Sequence, residues 1–435
     1  MEGIIESPPM DRRLQKRYWN MVRSHMRVAP RLAAGVTGVP GATSALAATQ
    51  GAWRFLNNER VTLPALVEPL REVGRRGAAA AREPFVLLVH DWCKLTYDQP
   101  KRKRDQIPVT HAHDVGYDLT TALLVSADDG TPWAPMELHL RTAAGLLSTR
   151  DRVPADESHL AQVGTTMAAS RTWGLARPVR PVIDREADSV GHFRRWHAAE
   201  ERFLVRADDR RVTWQERSVL VSEIAANLRD QRVFREAGAA RFHGRKARLF
   251  VAETSVVLDR PAKTRVGDRQ IECPGPPLPL RLIVAQVRHT DGTILTQWFL
   301  LSNAPADWGA SDKLARCYYW RWRIESYFKL LKGHGQQVEQ WEQETGAATA
   351  RRLLVAAMAC VTVWQLQHTS TPEATELKDL LIRLSGRQTK RSRPHTAPAL
   401  LAGLWTLLSM LAALDHDTLD QLKSLATQIP FLNSA

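Results

Sequence analysis

Asp91, Asp184 and Glu325 are the residues from which a chemistry can be argued. Asp91 follows the apolar run Phe85–His90, Asp184 follows Pro178–Ile183, and Glu325 lies in Lys313–Gly333, which has no Pro and no internal Gly. Acidic groups at strand ends are where α/β folds commonly place their chemistry. The three carboxylates form a hard oxygen donor set suited to Mg²⁺ or Mn²⁺, and no His/Cys spacing competes for zinc. Two such ions about 3.5–4 Å apart could activate water and stabilise the leaving oxygen of a phosphodiester. Taken singly, each aspartate is equally what a strand-end cap or turn former looks like.

The third carboxylate has the most informative surroundings. Lys313–Gly333 reads KLARCYYWRWRIESYFKLLKG. With Ser311 as N-cap it is expected to form one helix of about five or six turns. At about 100° per residue, Tyr318, Arg321, Glu325, Lys329 and Lys332 share an arc of about 80°. Trp320, Ile324, Tyr327 and Leu331 fall roughly opposite, on the side that would bury. The polar arc fits a solvated face with i,i+4 pairs worth a few tenths of a kcal/mol. It fits equally a metal-binding carboxylate flanked by phosphate-binding cations.

The elements that must position these residues follow from the rest of the chain. Phe85–His90 reads as a strand buried on both faces, with Leu119–Val125 and Met136–Leu140 as antiparallel strands beside it. A helix is expected over 156–173, a strand at Pro178–Ile183, a helix over Ser189–Glu200 and a strand at Phe203–Arg206. That order matches a mixed α/β core of the ribonuclease-H type. From Val212 to Leu301 the chain is β-rich, with strands at Ala247–Ala252, Leu280–Val287 and Ile294–Leu301 and a hairpin turn at Thr290–Gly292. An apolar helix follows at Thr349–Gln367. The expected division is a helical DNA-binding domain over 1–75, the core over 76–211 and 302–368, a β-rich insertion over 212–301, and a helical C-terminal region over 369–435.

The 435 residues carry 60 Lys and Arg against 46 Asp and Glu, a formal charge of +14. That surplus favours a polyanionic partner, nucleic acid or an acidic membrane surface. Basic residues cluster in the first helical segment (Arg12, Arg13, Lys16, Arg17, Arg23, Arg27, Arg31), in the run 101–104 and in the loop 387–393, with Trp53, Arg54 and Phe55 in a second helix, Ser44–Asn58. The four cysteines have no framework spacing and the polar start has no signal-peptide pattern, so a cytoplasmic setting is expected. The uncharged stretch Ala399–Leu414 falls short of the roughly 20 residues a span needs. It reads as a buried or interface helix.

At these residues the chain resembles a known family. Tyr318, Arg321, Glu325 and Lys332 are similar to the Tyr-Arg-Glu-Lys signature of bacterial cut-and-paste transposases of the insertion-sequence-four family. Asp184-Arg-Glu-Ala-Asp188 resembles that family's second-aspartate motif, Asp91 with Leu95-Thr96-Tyr97 the first, and Gly51–Asn58 its DNA-binding domain. The resemblance implies that Asp91, Asp184 and Glu325 hold Mg²⁺, with Mn²⁺ substituting. It implies that Tyr318, Arg321 and Lys332, with Arg206 and Lys329, hold phosphates of the transposon end, and that Trp298 stacks on a flipped base. One strand would be cut by water, the freed 3′-hydroxyl would form a hairpin on the opposite strand, and the reopened 3′ end would join target DNA. A homodimer pairing two double-stranded DNA ends, working at the bacterial nucleoid, is implied as well, with the C-terminal apolar helix as dimer contact. Trp92-Cys93-Lys94 stand where the pattern leads one to expect small hydroxylated residues. A nuclease without strand transfer and a non-catalytic DNA-binding relative remain as alternatives.

Overall fold

The computed structural model describes residues 5–27, 43–97, 103–111, 113–154, 157–266, 269–333, 335–386, 395–415 and 417–426. Arg31 of the first basic cluster, Lys101 and Arg102 of the basic run, and the basic loop 387–393 lie outside them.

Helices α1 (Arg12–Arg27), α2 (Thr43–Leu56) and α3 (Leu63–Ala80) come first. Thr62 starts α3 by accepting the Ala65 N–H, and Pro64 occupies the first turn, where no N–H is missed. Then come β1 (Val86–Thr96), β2 (Ile107–Pro108), β3 (Val115–Val125), β4 (Pro132–Thr142), β5 (Gly145–Ser148), α4 (His159–Ser170), β6 (Val179–Ile183), α5 (Val190–Ala198) and β7 (Leu204–Ala207). The second half holds β8 (Arg211–Trp214), β9 (Arg217–Leu220), α6 (Val221–Asp230), β10 (Arg235–Phe242), β11 (Arg245–Leu258), β12 (Ala262–Val266), β13 (Arg269–Cys273), β14 (Leu278–Arg288) and β15 (Ile294–Ser302). It closes with α7 (Ser311–Trp320), α8 (Trp322–Leu331), α9 (Gly346–His368), α10 (Pro372–Leu384), α11 (Ala397–Leu414) and α12 (Leu419–Ala426).

One mixed sheet of 13 described strands runs through the molecule in the order β5-β4-β3-β1-β6-β7-β15-β14-β11-β8-β9, with β2 on β3 and β10 on β11. The β1-β3-β4 meander is antiparallel, and β6 and β7 lie parallel to β1 and to each other. The β-rich stretch extends this same sheet, because β15 pairs antiparallel with β7. Among the described strands, β12 and β13 alone form a separate pair. Helix α6 was not expected there, although Val221, Ile224, Ala225 and Leu228 bury at helical spacing.

Strand β1 does not stop at Asp91, as the sequence suggested. Residues 92–96 contain no turn former, and β3 continues to pair with the strand up to Thr96↔Gly116. Gly116 is required there, since a Cβ would lie 2.0 Å from the Leu95 carbonyl oxygen. Asp91 therefore sits in mid-strand, held by a pairing that periodicity could not reveal.

Two helical layers cover the sheet. On one side Gly74 of α3 packs on Met136 of β4, and the buried α9 passes beneath; on the other, Thr166 of α4 donates to the buried Glu137. Helix α1 lies against α9 and α11, which ties the N-terminal helices to the C-terminal ones. Two described helices, α9 and α11, are long and apolar enough to cross a membrane; α9 is mostly buried, whereas α11 exposes Met410, Leu411 and Leu414.

Candidate active site

Asp91 comes from mid-β1, Asp184 from the residue after β6, and Glu325 from the first turn of α8. Strands β1 and β6 run parallel and their last backbone pair is His90↔Ile183, so the two aspartates are the next residues along on adjacent chains. Glu325 is brought to them by burial. Ile324, Tyr327 and Leu331 are fully buried, and the Tyr327 ring lies 5.6 Å from that of Trp364 on α9. Fully burying such side chains contributes roughly 1.5–3 kcal/mol each, enough to fix the face α8 presents.

All three carboxylates converge on one guanidinium. Arg321 donates through Nη1 to Asp91 Oδ2 at 2.9 Å, and its Nη2 stands 2.8 Å from Glu325 Oε1 and 3.1 Å from Asp184 Oδ2. The arginine is 4% exposed. Burial pushes the Asp91 carboxyl up to about 6; Arg321 opposes this, while Asp184 and Glu325 add to it. The same carboxylates hold the Arg321 guanidinium firmly in its charged form against the cost of burial.

This arrangement corrects the helical reading of 313–333. Arg321 interrupts the helix: its N–H donates to the Tyr318 carbonyl and its own carbonyl accepts from Ile324, a tighter i→i+3 pairing that separates α7 from α8. No Gly or Pro marks the break. Ser311 is not the N-cap, a position taken by Ala310; it lies buried inside the first turn, where its hydroxyl accepts from Arg235.

The expected phosphate-binding residues separate into exposed and engaged ones. Lys329 is exposed on α8. Tyr318 is 1% exposed; its hydroxyl has the Arg206 side chain beside it but no acceptor for its O–H, and burial pushes it up to about 12 despite the nearby Arg321. Arg206, on β7, stands 4.0 Å from Asp184. Lys332 donates to the Lys94 carbonyl at 2.5 Å and pairs with Glu339 at 3.1 Å. Lys103, read as a loop cation, is instead buried, donating to the carbonyls of Trp341 and Gln343. Trp298 is 3% exposed with its ring 5.3 Å from that of Tyr318. It borders a cavity of about 290 Å³ shared with Phe242, Tyr319, Trp320, Trp322 and Arg323.

No known family's model matches the chain, and no curated protein matches it. Among solved structures, the chain is similar to a piggyBac transposase synaptic complex with hairpin DNA, at 10% identity and a TM-score of 0.41, covering 99% of this chain and 79% of that one. At that score the two share too little geometry for any residue to be carried across.

The donor set suits a hard divalent cation, being all carboxylate oxygen. Its present spacing is that of a guanidinium site: among the described residues no group of three His, Cys, Asp or Glu stands ready to hold a metal. The turn after β6 is fastened further by Asp188, which sequence reading placed in the motif without a role, and by Asp208 and Arg210, which it passed over. Asp188 accepts from the Asp208 N–H at 3.0 Å and from Arg210 at 2.5 Å. The signal was the alternation of acids in Asp184-Arg-Glu-Ala-Asp188.

Proposed function

We propose that the chain is a DNA transposase of the Asp-Asp-Glu type, excising an insertion sequence by metal-dependent cleavage at its ends, through a DNA hairpin, and joining the 3′ ends to target DNA. One observation carries this reading: Asp91, Asp184 and Glu325, drawn from distant stretches, meet at Arg321 in the motif order of the insertion-sequence-four resemblance. The antiparallel meander followed by two parallel strands supports a ribonuclease-H-like core.

Asp91, Asp184 and Glu325 would hold Mg²⁺ or Mn²⁺, which supplies Lewis acidity at the attacking and leaving oxygens. Arg321 is the counter-charge that keeps the carboxylates together before an ion arrives. With a divalent cation held by the carboxylates, the guanidinium would be released to meet a DNA phosphate, which its fork fits bidentately. Tyr318 has a donor without an acceptor, which a phosphate oxygen would satisfy. Lys329 and Arg206 add charge along the strand, and Lys332 can do so by giving up Glu339. A base flipped from the end would enter the cavity beside Trp298 and stack on its aromatic walls. The basic α1 and the exposed Trp53 of α2 offer a second DNA contact, and the apolar face of α11 a contact with a second copy at the nucleoid. A Leu411→Glu chain that still sediments as a dimer would rule that face out.

A second reading is favoured by the same guanidinium. With Arg321 fixed among the carboxylates, the chain would be a silent DNA-binding relative. Glu325→Gln decides between them: cleavage of transposon-end DNA that is lost in the variant supports the transposase, and cleavage that persists removes Glu325 from it.

A further inference from the structure

Beyond His90↔Ile183 no backbone pair joins β1 to the chain leaving β6. Asp91 and Asp184 lie just past that last pair, where the two chains could splay. The next link between the two chains is a side-chain one: Trp92 Nε1 donates to Glu186 Oε2 at 2.7 Å. The two aspartates, whose carboxylates Arg321 bridges, are therefore bracketed between the end of a ladder and an indole hydrogen bond.

Both ends of that bond are themselves held. The Trp92 N–H donates to Asp91 Oδ1 at 2.9 Å, so the residue touches the first aspartate through its backbone and the second aspartate's turn through its ring. The indole packs on His159, the first residue of α4, with centroids 4.7 Å apart and planes tilted by 30°. His159 in turn pairs with Asp118 of β3 at 2.8 Å. Glu186 sits in the turn Arg185–Ala187, which Asp184 caps by accepting the Arg185 N–H at 2.5 Å. On its far flank that turn is fastened to the chain beyond β7 through Asp188. Side chains alternate across a strand, so Trp92 points to the face opposite Asp91 and braces the site from behind.

We propose that Trp92 and Glu186 are positioning residues that set the separation of Asp91 and Asp184 and so the affinity of the site for a divalent cation. The inference rests on the transposase reading. Residues that orient metal ligands typically change metal affinity by about 10–100-fold when mutated. Trp92→Phe keeps an aromatic ring beside His159 and deletes the N–H donor together with part of the indole. Glu186→Gln keeps an acceptor oxygen and is the conservative control; Glu186→Ala, at an exposed position, removes the acceptor with no risk to a core.

The test uses the full chain bound to duplex DNA carrying the ends that flank its gene. Mn²⁺ binding is read from the loss of the free-ion paramagnetic resonance signal, and cleavage is followed in the same titration, with melting temperature as the check on folding. Trp92→Phe and Glu186→Ala are expected to bind Mn²⁺ about tenfold more weakly and to recover cleavage at saturating Mn²⁺, with Glu186→Gln close to wild type. Wild-type Mn²⁺ affinity in Trp92→Phe or Glu186→Ala, or a loss of cleavage that saturating Mn²⁺ does not restore, overturns the brace and leaves the transposase reading standing. A wild-type chain that neither binds Mn²⁺ nor cleaves overturns the reading itself, and the brace with it.

Discussion

Arg321 and Asp91 are 230 residues apart in sequence and 2.9 Å apart in space. The same guanidinium reaches Asp184 and Glu325, so a single positive charge holds three carboxylates that would otherwise repel one another.

Removing that charge should therefore cost stability. Breaking a buried pair costs about 3–5 kcal/mol, and the partly exposed carboxylates here put Arg321→Ala near the low end, about 3 kcal/mol. Mg²⁺ should offset much of the loss, because an ion can replace the missing cation. Thermal melts with and without Mg²⁺ check this: the variant is expected to gain more from the ion than wild type does. An equal gain in both proteins would mean that no ion enters among these carboxylates.

The reach of Arg321 also marks how far the sequence could be read. Phe85–His90 was legible because an unbroken apolar run has few places to go but a buried strand. The continuation through Asp91 was not, since pairing with β3 carries polar residues that have no strand periodicity of their own. The motif residues were legible as types at a spacing, and Ile324, Tyr327 and Leu331 bury as their arc requires. What the spacing placed wrongly was Tyr318 and Arg321, expected on an open face and found buried. Burial of an arginine depends on partners that only the fold supplies, and the helix is broken at that same residue. Helix α6 was legible in its i, i+3, i+4, i+7 pattern and was hidden only by the β-rich sequence around it.

Asp91 gives a pH dependence. Its native carboxyl titrates at about 6 against an ordinary 3.8, so between those values the native state binds more protons than the unfolded chain. This group's contribution to stability therefore falls as pH rises from about 4 to about 6 and is constant above. Metal binding needs the ionised form, so in this range Mg²⁺ affinity should climb with pH and level off above about 6. Calorimetric titration of Mg²⁺ between pH 5 and 8, using the DNA complex, reads it; a flat profile would contradict the burial of Asp91.

Lys329 tests the DNA path without disturbing the fold. It is exposed, so Lys329→Ala should leave the melting temperature unchanged. As a phosphate contact its loss should weaken binding of all DNA sequences alike and lower the salt slope by about one. Binding measured across a salt series is the check, and an unchanged slope would place Lys329 off the DNA.

The aromatic cavity offers a pair of variants with different costs. Trp298 is buried, so Trp298→Ala should lose about 3–5 kcal/mol and report mainly on folding. Trp322 is 38% exposed at the cavity, so Trp322→Ala should fold normally and lose about 1–3 kcal/mol of affinity for DNA with an unpaired base near its end. Equal affinity of wild type and Trp322→Ala for such DNA, in a fluorescence titration, would argue that no base reaches that wall.

The central claim is that Asp91, Asp184 and Glu325 cut DNA with a divalent metal. Its most direct test is Mg²⁺-dependent cleavage of DNA carrying the two ends that flank the gene, comparing wild type with Asp184→Asn. The account predicts hairpin-ended products that need Mg²⁺ and vanish in the variant. Tight binding by wild type without cleavage, in Mg²⁺ or Mn²⁺, would contradict it and leave Arg321 as the permanent occupant of the carboxylate cluster.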